Sequence, residues 1–406
     1  FRNEDRQISY VGTNVRDGAR TIQNAILTSS NNLVEEVVNY GVYVQTNLGW
    51  RNKMFLDLGL RGDGNSAFGR DIGVQYYPKI GLSYVPSSEY WWKENLSFLP
   101  SAKLRGNYGV AGNFPPPFLN LRTVIFEGYL GSQAASFGLP GVDLRPEKTT
   151  TFEVGLDLGL WQDRLTFSAG FYRAVTNDAL FSVPAAPSTG EGEALRNVGK
   201  ILNRGLEFST QIMAIQKEKT SLKFNFALNT LYNKVLSSNG AAPFNIAGFS
   251  ERTVQTVVEE GYPIGFIRGA YGEFGENGEL ASTTPLQYLG TTIPDLFGSA
   301  GVNFQWKALN IFANADYQKG AFANNWDSQF RYNYGAGDEG IPLGEINSSY
   351  KRTRWLQFTN KFIEKTDFIK IRTIGASYTL PSSAIRSFAR SLVISGSVMN
   401  PFNFTS

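Results

Sequence analysis

Segments of about ten residues that alternate apolar and polar side chains recur along this chain, and they restrict its fold more tightly than any other feature. The cleanest runs from Thr151 to Leu160. Phe152, Val154, Leu156, Leu158 and Leu160 fall on one parity, and Thr151, Glu153, Gly155, Asp157 and Gly159 on the other. Successive side chains of a strand point to opposite faces, so this segment is apolar on one side and polar on the other. After a turn at 161–163 the alternation resumes, with Leu165, Phe167, Ala169 and Phe171 against Thr166, Ser168, Gly170 and Tyr172. A length of ~10 residues suits a tilted strand that crosses a membrane. The pattern predicts an all-β fold, a transmembrane antiparallel up-and-down β-barrel.

Twelve strands are expected, near 40–49, 53–62, 79–86, 102–111, 149–160, 164–174, 204–215, 221–233, 297–306, 309–319, 366–380 and 391–400. Their connections sort by length. Those at 50–52, 87–101, 161–163, 216–220, 307–308 and 381–390 are mostly tight, whereas those at 62–78, 112–148, 175–203, 234–296 and 320–365 are all long. A barrel with periplasmic turns and extracellular loops separates the two sets in this way. A soluble sandwich or propeller would mix them, and no blade-length repeat is present. The outward rows (Met54, Leu56, Leu58, Leu60; Leu206, Phe208, Ile212; Leu222, Phe224, Phe226, Leu228; Val302, Phe304, Trp306) carry no charge. Trp50, Trp92, Trp161 and Trp306 fall at the short-turn ends, where an interfacial aromatic girdle belongs. Asp57, Arg61, Lys103, Arg105, Asn107, Glu207, Lys223, Asn225, Asn303 and Gln305 fall on the inward rows, and a structural ion pair of Glu207 with Arg204 is expected inside the wall.

Composition enters mainly through absences. With no cysteine there is no disulfide and no thiolate site, and with no histidine the commonest general base and metal ligand are missing. Zinc-hydrolase and Ser-His-Asp chemistry are thereby excluded, no paired-carboxylate spacing stands out, and an enzyme is not expected. No catalytic residue, metal site or cofactor is assigned. A net charge of +3 without a dense basic cluster gives no reason to expect nucleic acid. The chain opens on Phe1 and closes at Ser406 within what reads as a strand, so both ends are expected to be cuts through a larger protein.

Several segments, read together, resemble the SusC/RagA group of TonB-dependent outer-membrane transporters, the nutrient importers of Bacteroidetes-like bacteria. They are LRGDGNSAFG at 60–69, YPKIGLSY at 77–84, LRGNYGVAGN at 104–113, LRPEKTTTFEVG at 144–155, NVGKILNRGLE at 197–207, DFIKIR at 367–372 and MNPFNFT at 399–405. The resemblance implies a barrel of about 22 strands with an N-terminal plug in its lumen. Residues 1–406 then read as an incomplete barrel domain with long extracellular loops at about 112–148, 175–203, 234–296 and 320–365, the plug and closing strand lying outside it. It further implies a multi-pass protein of a Gram-negative outer membrane, in contact with outer-membrane lipid, that imports oligosaccharides or peptides. Its partners would be a SusD-like surface lipoprotein lid and the TonB–ExbB–ExbD energising complex. Two other readings stay open: a structural or docking barrel bound to other envelope proteins, and a passive porin.

Three local motifs carry less. Arg61-Gly62-Asp63 spells an adhesion tripeptide but sits where a strand meets a loop. The run at 63–66 lacks the spacing and terminal carboxylate of a calcium loop, and 272–278 lacks the lysine and helix of a phosphate loop. The long loops are richer. Flat aromatic faces beside polar groups grip sugar rings or extended peptides. On that ground Phe114, Phe118, Trp326, Asp327, Tyr332, Tyr334 and Trp355 are the expected ligand contacts. The competing expectation is that these aromatics pack the loops on one another.

Overall fold

The computed structural model describes residues 2–13, 27–65, 72–116, 124–129, 132–137, 144–184, 193–248, 254–276, 279–333, 355–381, 383 and 389–405. Its main feature is a fourteen-stranded antiparallel sheet. The strands are β1 (Arg2–Thr13), β2 (Leu27–Trp50), β3 (Met54–Asn65), β4 (Gln75–Tyr84), β5 (Ser101–Asn113), β6 (Glu147–Leu160) and β7 (Leu165–Asn177). They continue as β8 (Lys200–Lys217), β9 (Thr220–Thr230), β10 (Leu296–Trp306), β11 (Leu309–Lys319), β12 (Phe368–Thr379) and β13 (Val393–Thr405). Each pairs with the next, so spatial order follows chain order, and the strand Tyr232–Ser237 continues β9 along the upper part of β8. This is the up-and-down arrangement. β1 and β13 are the edges, with no pairing between them among the described residues.

Register carries the alternation from strand to strand. Leu48, Leu56 and Leu82 are successive partners, as are Leu104, Leu156 and Ala169, and Phe224, Val302 and Ala313. The result is a continuous apolar face with no second sheet behind it among the described residues. Val42 is 73% exposed, Leu48 56% and Leu82 49%, far more apolar surface than a protein in water leaves bare. Lipid is the solvent that removes this cost. At the short-turn end Trp50, Trp161 and Trp306 stand exposed, and Arg51 and Lys307 hold their charges over the Trp50 and Trp306 rings at 5.1 and 5.0 Å. The connection after β4 is the longest of this set. It folds into a helix, α1 (Tyr90–Asn95), pinned by a Lys53–Glu89 ion pair and by Trp92 Nε1 donating to the Leu99 carbonyl at 2.8 Å.

The structure departs from the sequence reading at the long connections, at Arg61-Gly62-Asp63 and at one ion pair. All twelve expected strands are present, and β1 precedes them. The long connections, read as loops, contain strands of their own. Arg61-Gly62-Asp63 lies inside β3, with Arg61 Nε 2.7 Å from Asp63 Oδ1. The expected Glu207–Arg204 pair does not form: three residues apart on an unbulged stretch of strand, the two side chains leave opposite faces.

Candidate functional site

The polar face of the sheet is concave and lined by small or polar side chains. Asp157, Ser168, Ser209, Ala227, Ser299 and Asp316 are successive register partners across six strands. The four middle residues are small, which keeps the wall low, and a concavity of about 650 Å³ lies over them. Several of the charges on this face are paired. Arg105 lies 3.4 Å from Asp157, Ser168 Oγ donates to the same carboxylate at 2.6 Å, Lys79 reaches Asp57 at 3.4 Å and Arg372 reaches Asp316 at 2.6 Å. Such a surface suits water, polar solute or a polar protein segment.

Above the sheet, at the long-connection end, two of the long connections build a lobe. The first supplies a four-stranded sheet of Phe244–Gly248, Gln255–Val258, Phe266–Phe274 and Leu280–Thr291. The second is closed at its base by Phe322–Asn324 pairing with Ile363–Lys365, and carries the helix α2 (Trp326–Asn333). Asn325 caps α2, its Oδ1 accepting from Ser328 N at 2.9 Å.

A clasp joins the two. Pairing of Phe266–Phe274 with Gln255–Val258 stops at Arg268, and past that point side chains take over the work of a strand. Thr359 Oγ1 accepts from Ala270 N at 2.8 Å and donates to Ala270 O at 3.0 Å. The Asn360 amide accepts from Gly272 N at 2.9 Å and donates to Gly272 O at 3.2 Å. Glycine at 272 permits this approach, since a Cβ there would lie 2.9 Å from the Gln357 carbonyl and from Phe358 Cα. Beneath the clasp Tyr332, Trp355, Phe358 and Phe362 form a hydrophobic core against Phe274 and Leu280. Thr359→Val keeps the shape but strands the Ala270 amide and carbonyl in a site 1% exposed. A loss of about 1–3 kcal/mol is expected, read as faster protease cleavage within 355–362, and unchanged cleavage would refute the clasp.

The seven expected contact residues separate. Phe118 and Tyr334 lie outside the described residues. Tyr332 and Trp355 come together, but inside the lobe core, where they are 6% and 8% exposed and offer no open ring face. Trp326 and Asp327 stand on the first turn of α2. Trp326 stacks on Phe330, one turn along, at 5.8 Å and 26°, and Asp327 is exposed. Phe114 leaves the top of β5, elsewhere on the sheet. Sequence reasoning missed Phe330 as Trp326's partner, although i, i+4 spacing on a helix would have found it. A second aromatic group, Tyr262, Phe266 and Tyr288, packs with its rings within 29° of parallel. Burial, and then the Asp295 carboxylate, push the Tyr288 hydroxyl pKa up. Among the described residues no group of three or more acidic side chains could hold a metal ion.

Comparison with known proteins agrees with this geometry. Residues 2–352 match the family described as TonB dependent receptor-like, beta-barrel. The TonB-dependent receptor P39 of Formosa agariphila is 29% identical over 291 residues, covering 70% of this chain and 27% of that protein. The TonB-dependent receptor SusC of Bacteroides thetaiotaomicron is 26% identical over 203 residues, 47% of this chain and 20% of SusC. Among solved structures, the RagAB peptide importer in its closed-closed state superposes with a TM-score of 0.80 at 19% identity, over 96% of this chain and 47% of that one. The chain thus spans less than half the length of each of these three relatives.

Proposed function

Because this chain belongs to the TonB-dependent receptor-like β-barrel family, which is one of outer-membrane receptors and transporters, we propose that it forms the greater part of the wall of a nutrient importer for oligosaccharides or peptides. The observation that carries this reading is the alignment of two features: a concave, polar, low-walled sheet face, and an aromatic-bearing lobe over its long-connection end. Ligand meets the lobe at the Trp326–Phe330 pair, with Asp327 as the adjacent polar group, while Tyr332 and Trp355 hold the lobe in shape from within. Phe114 contributes from the β5 side. A SusD-like lipoprotein covers the lobe, and the TonB–ExbB–ExbD complex acts on a plug that occupies the concavity. The names SusC and RagAB support the first of these partners, and family membership alone supports the second.

The test uses the full-length protein in its native outer membrane. Cells carrying Trp326→Ala with Phe330→Ala are expected to take up labelled oligosaccharide or peptide at least ten-fold more slowly than wild type at equal barrel abundance. Uptake unchanged by deleting the whole gene would end the importer reading. A docking barrel is the second reading, favoured by the heavy internal packing of the lobe. It predicts that the same double variant loses a co-purifying envelope protein while uptake stays normal.

A further inference from the structure

On the lipid-facing side of β4 to β9, going toward the long loops, one register row is the first to carry charge, with Lys234 in the row beyond it and Lys148 and Lys200 in the next. It runs from Ile80 through Tyr108 and Phe152 to Arg173, Arg204 and Tyr232, each residue the ladder partner of the next. No bulge interrupts these ladders between the apolar rows and the arginines. Arg173 and Arg204 therefore share the face of Phe171 and Leu206, one step beyond them toward the long loops. Both are exposed, and Arg204 lies 4.5 Å over the Tyr232 ring, which fixes its side of the sheet.

Two arginines directly opposite each other on adjacent strands repel. An acidic neighbour would normally relieve them, yet the flanking positions on this face are Thr150, Phe171, Leu206 and Leu202, with Lys234 adding a further positive charge diagonally. Neither arginine makes an ion pair among the described residues. Guanidinium groups are planar forks matched to phosphate oxygens, and two of them side by side make a clamp for a single phosphate. At the loop-side rim of a lipid-facing row, the phosphates within reach are those of the outer leaflet.

We propose that Arg173 and Arg204 bind a phosphate of the anionic glycolipid of the outer leaflet, lipopolysaccharide. This rests on the outer-membrane placement of the barrel and is independent of what, if anything, it imports. Full-length protein is titrated in mild detergent with purified lipopolysaccharide and with its enzymatically dephosphorylated form, bound lipid being counted by native mass spectrometry. Arg173→Gln with Arg204→Gln is expected to weaken binding of the phosphorylated lipid at least ten-fold, to leave the dephosphorylated form unaffected, and to keep the heat-modifiable mobility of a folded barrel. Arg173→Lys with Arg204→Lys should recover part of the affinity. Equal affinity of wild type and the glutamine pair would overturn the site. So would a glutamine pair that keeps its lipid but loses a co-purifying acidic protein.

Discussion

Phe358→Ala is expected to open the lobe above the sheet while leaving the wall strands paired. Phe358 is 0% exposed and sits at the centre of the lobe core. Its ring meets Phe274 edge-on at 5.1 Å and Tyr332 at 5.4 Å and 86°, and lies 6.0 Å from Phe362. Truncating a buried phenylalanine costs about 3–5 kcal/mol, because both the transfer energy and the filled volume are lost. The two connections meet through this core, the clasp and a hydrogen bond from Thr283 Oγ1 to the Gln357 carbonyl at 2.6 Å, so the core is a large part of what joins them. A loss of 3 kcal/mol corresponds to roughly 100-fold in an opening equilibrium. Hydrogen exchange at the Ala270 and Gly272 amides should accelerate by about that factor, while amides in β6 and β7 keep their protection. If the lobe amides exchange at the wild-type rate, the two connections are not held together by this core. Because Thr359 and Asn360 follow Phe358 directly, loss of the ring frees the clasp as well, and the effect should exceed that of Thr359→Val.

The second large effect belongs to the wall. Val154 lies mid-strand in β6, between Gly106 and Phe171 on the apolar face, and is 42% exposed in the isolated chain. An arginine on the lipid side near the bilayer midplane costs about 2–4 kcal/mol. Val154→Arg should therefore deplete the folded, heat-modifiable form in outer membranes and raise the fraction degraded. Thr151→Arg, on the opposite parity of the same strand, faces the watery side near Glu153 and should be tolerated. A lower yield from Thr151→Arg than from Val154→Arg would mean that the faces have been assigned the wrong way round. Arg173 and Arg204 keep to the same physics: they stand at the rim of the apolar face, where an arginine costs little and can reach a phosphate.

The wall was legible in the sequence because its information is local. A period of two over ten residues states which side chains share a face, and neighbours in sequence are neighbours in the sheet. That is why Phe152 to Leu160 could be assigned to lipid and Asp157 to water before any pairing was known. Glu207 and Arg204 show where local reading slips: a short separation suggested an ion pair, but strand parity puts an odd separation on opposite faces.

The lobe was not legible, for the complementary reason. Tyr332 and Trp355 read as ligand contacts because exposed loops and packed loops have the same composition. Only the fold brings them against Phe358, Phe362 and Phe274. Nothing near Thr359 or Asn360 announces that their side chains will complete a strand edge some ninety residues away in the chain. The arginine pair is intermediate. Each arginine could be placed on a face by parity, but their direct opposition depends on register between β7 and β8, which the spacing of the strands in sequence leaves open. Alternation and turn length thus determined by themselves that this chain makes a membrane wall with one long-looped end. Which loop residues pack on one another, and which wall residues stand opposite each other, was decided by long-range pairing, because those contacts join segments that no local pattern connects.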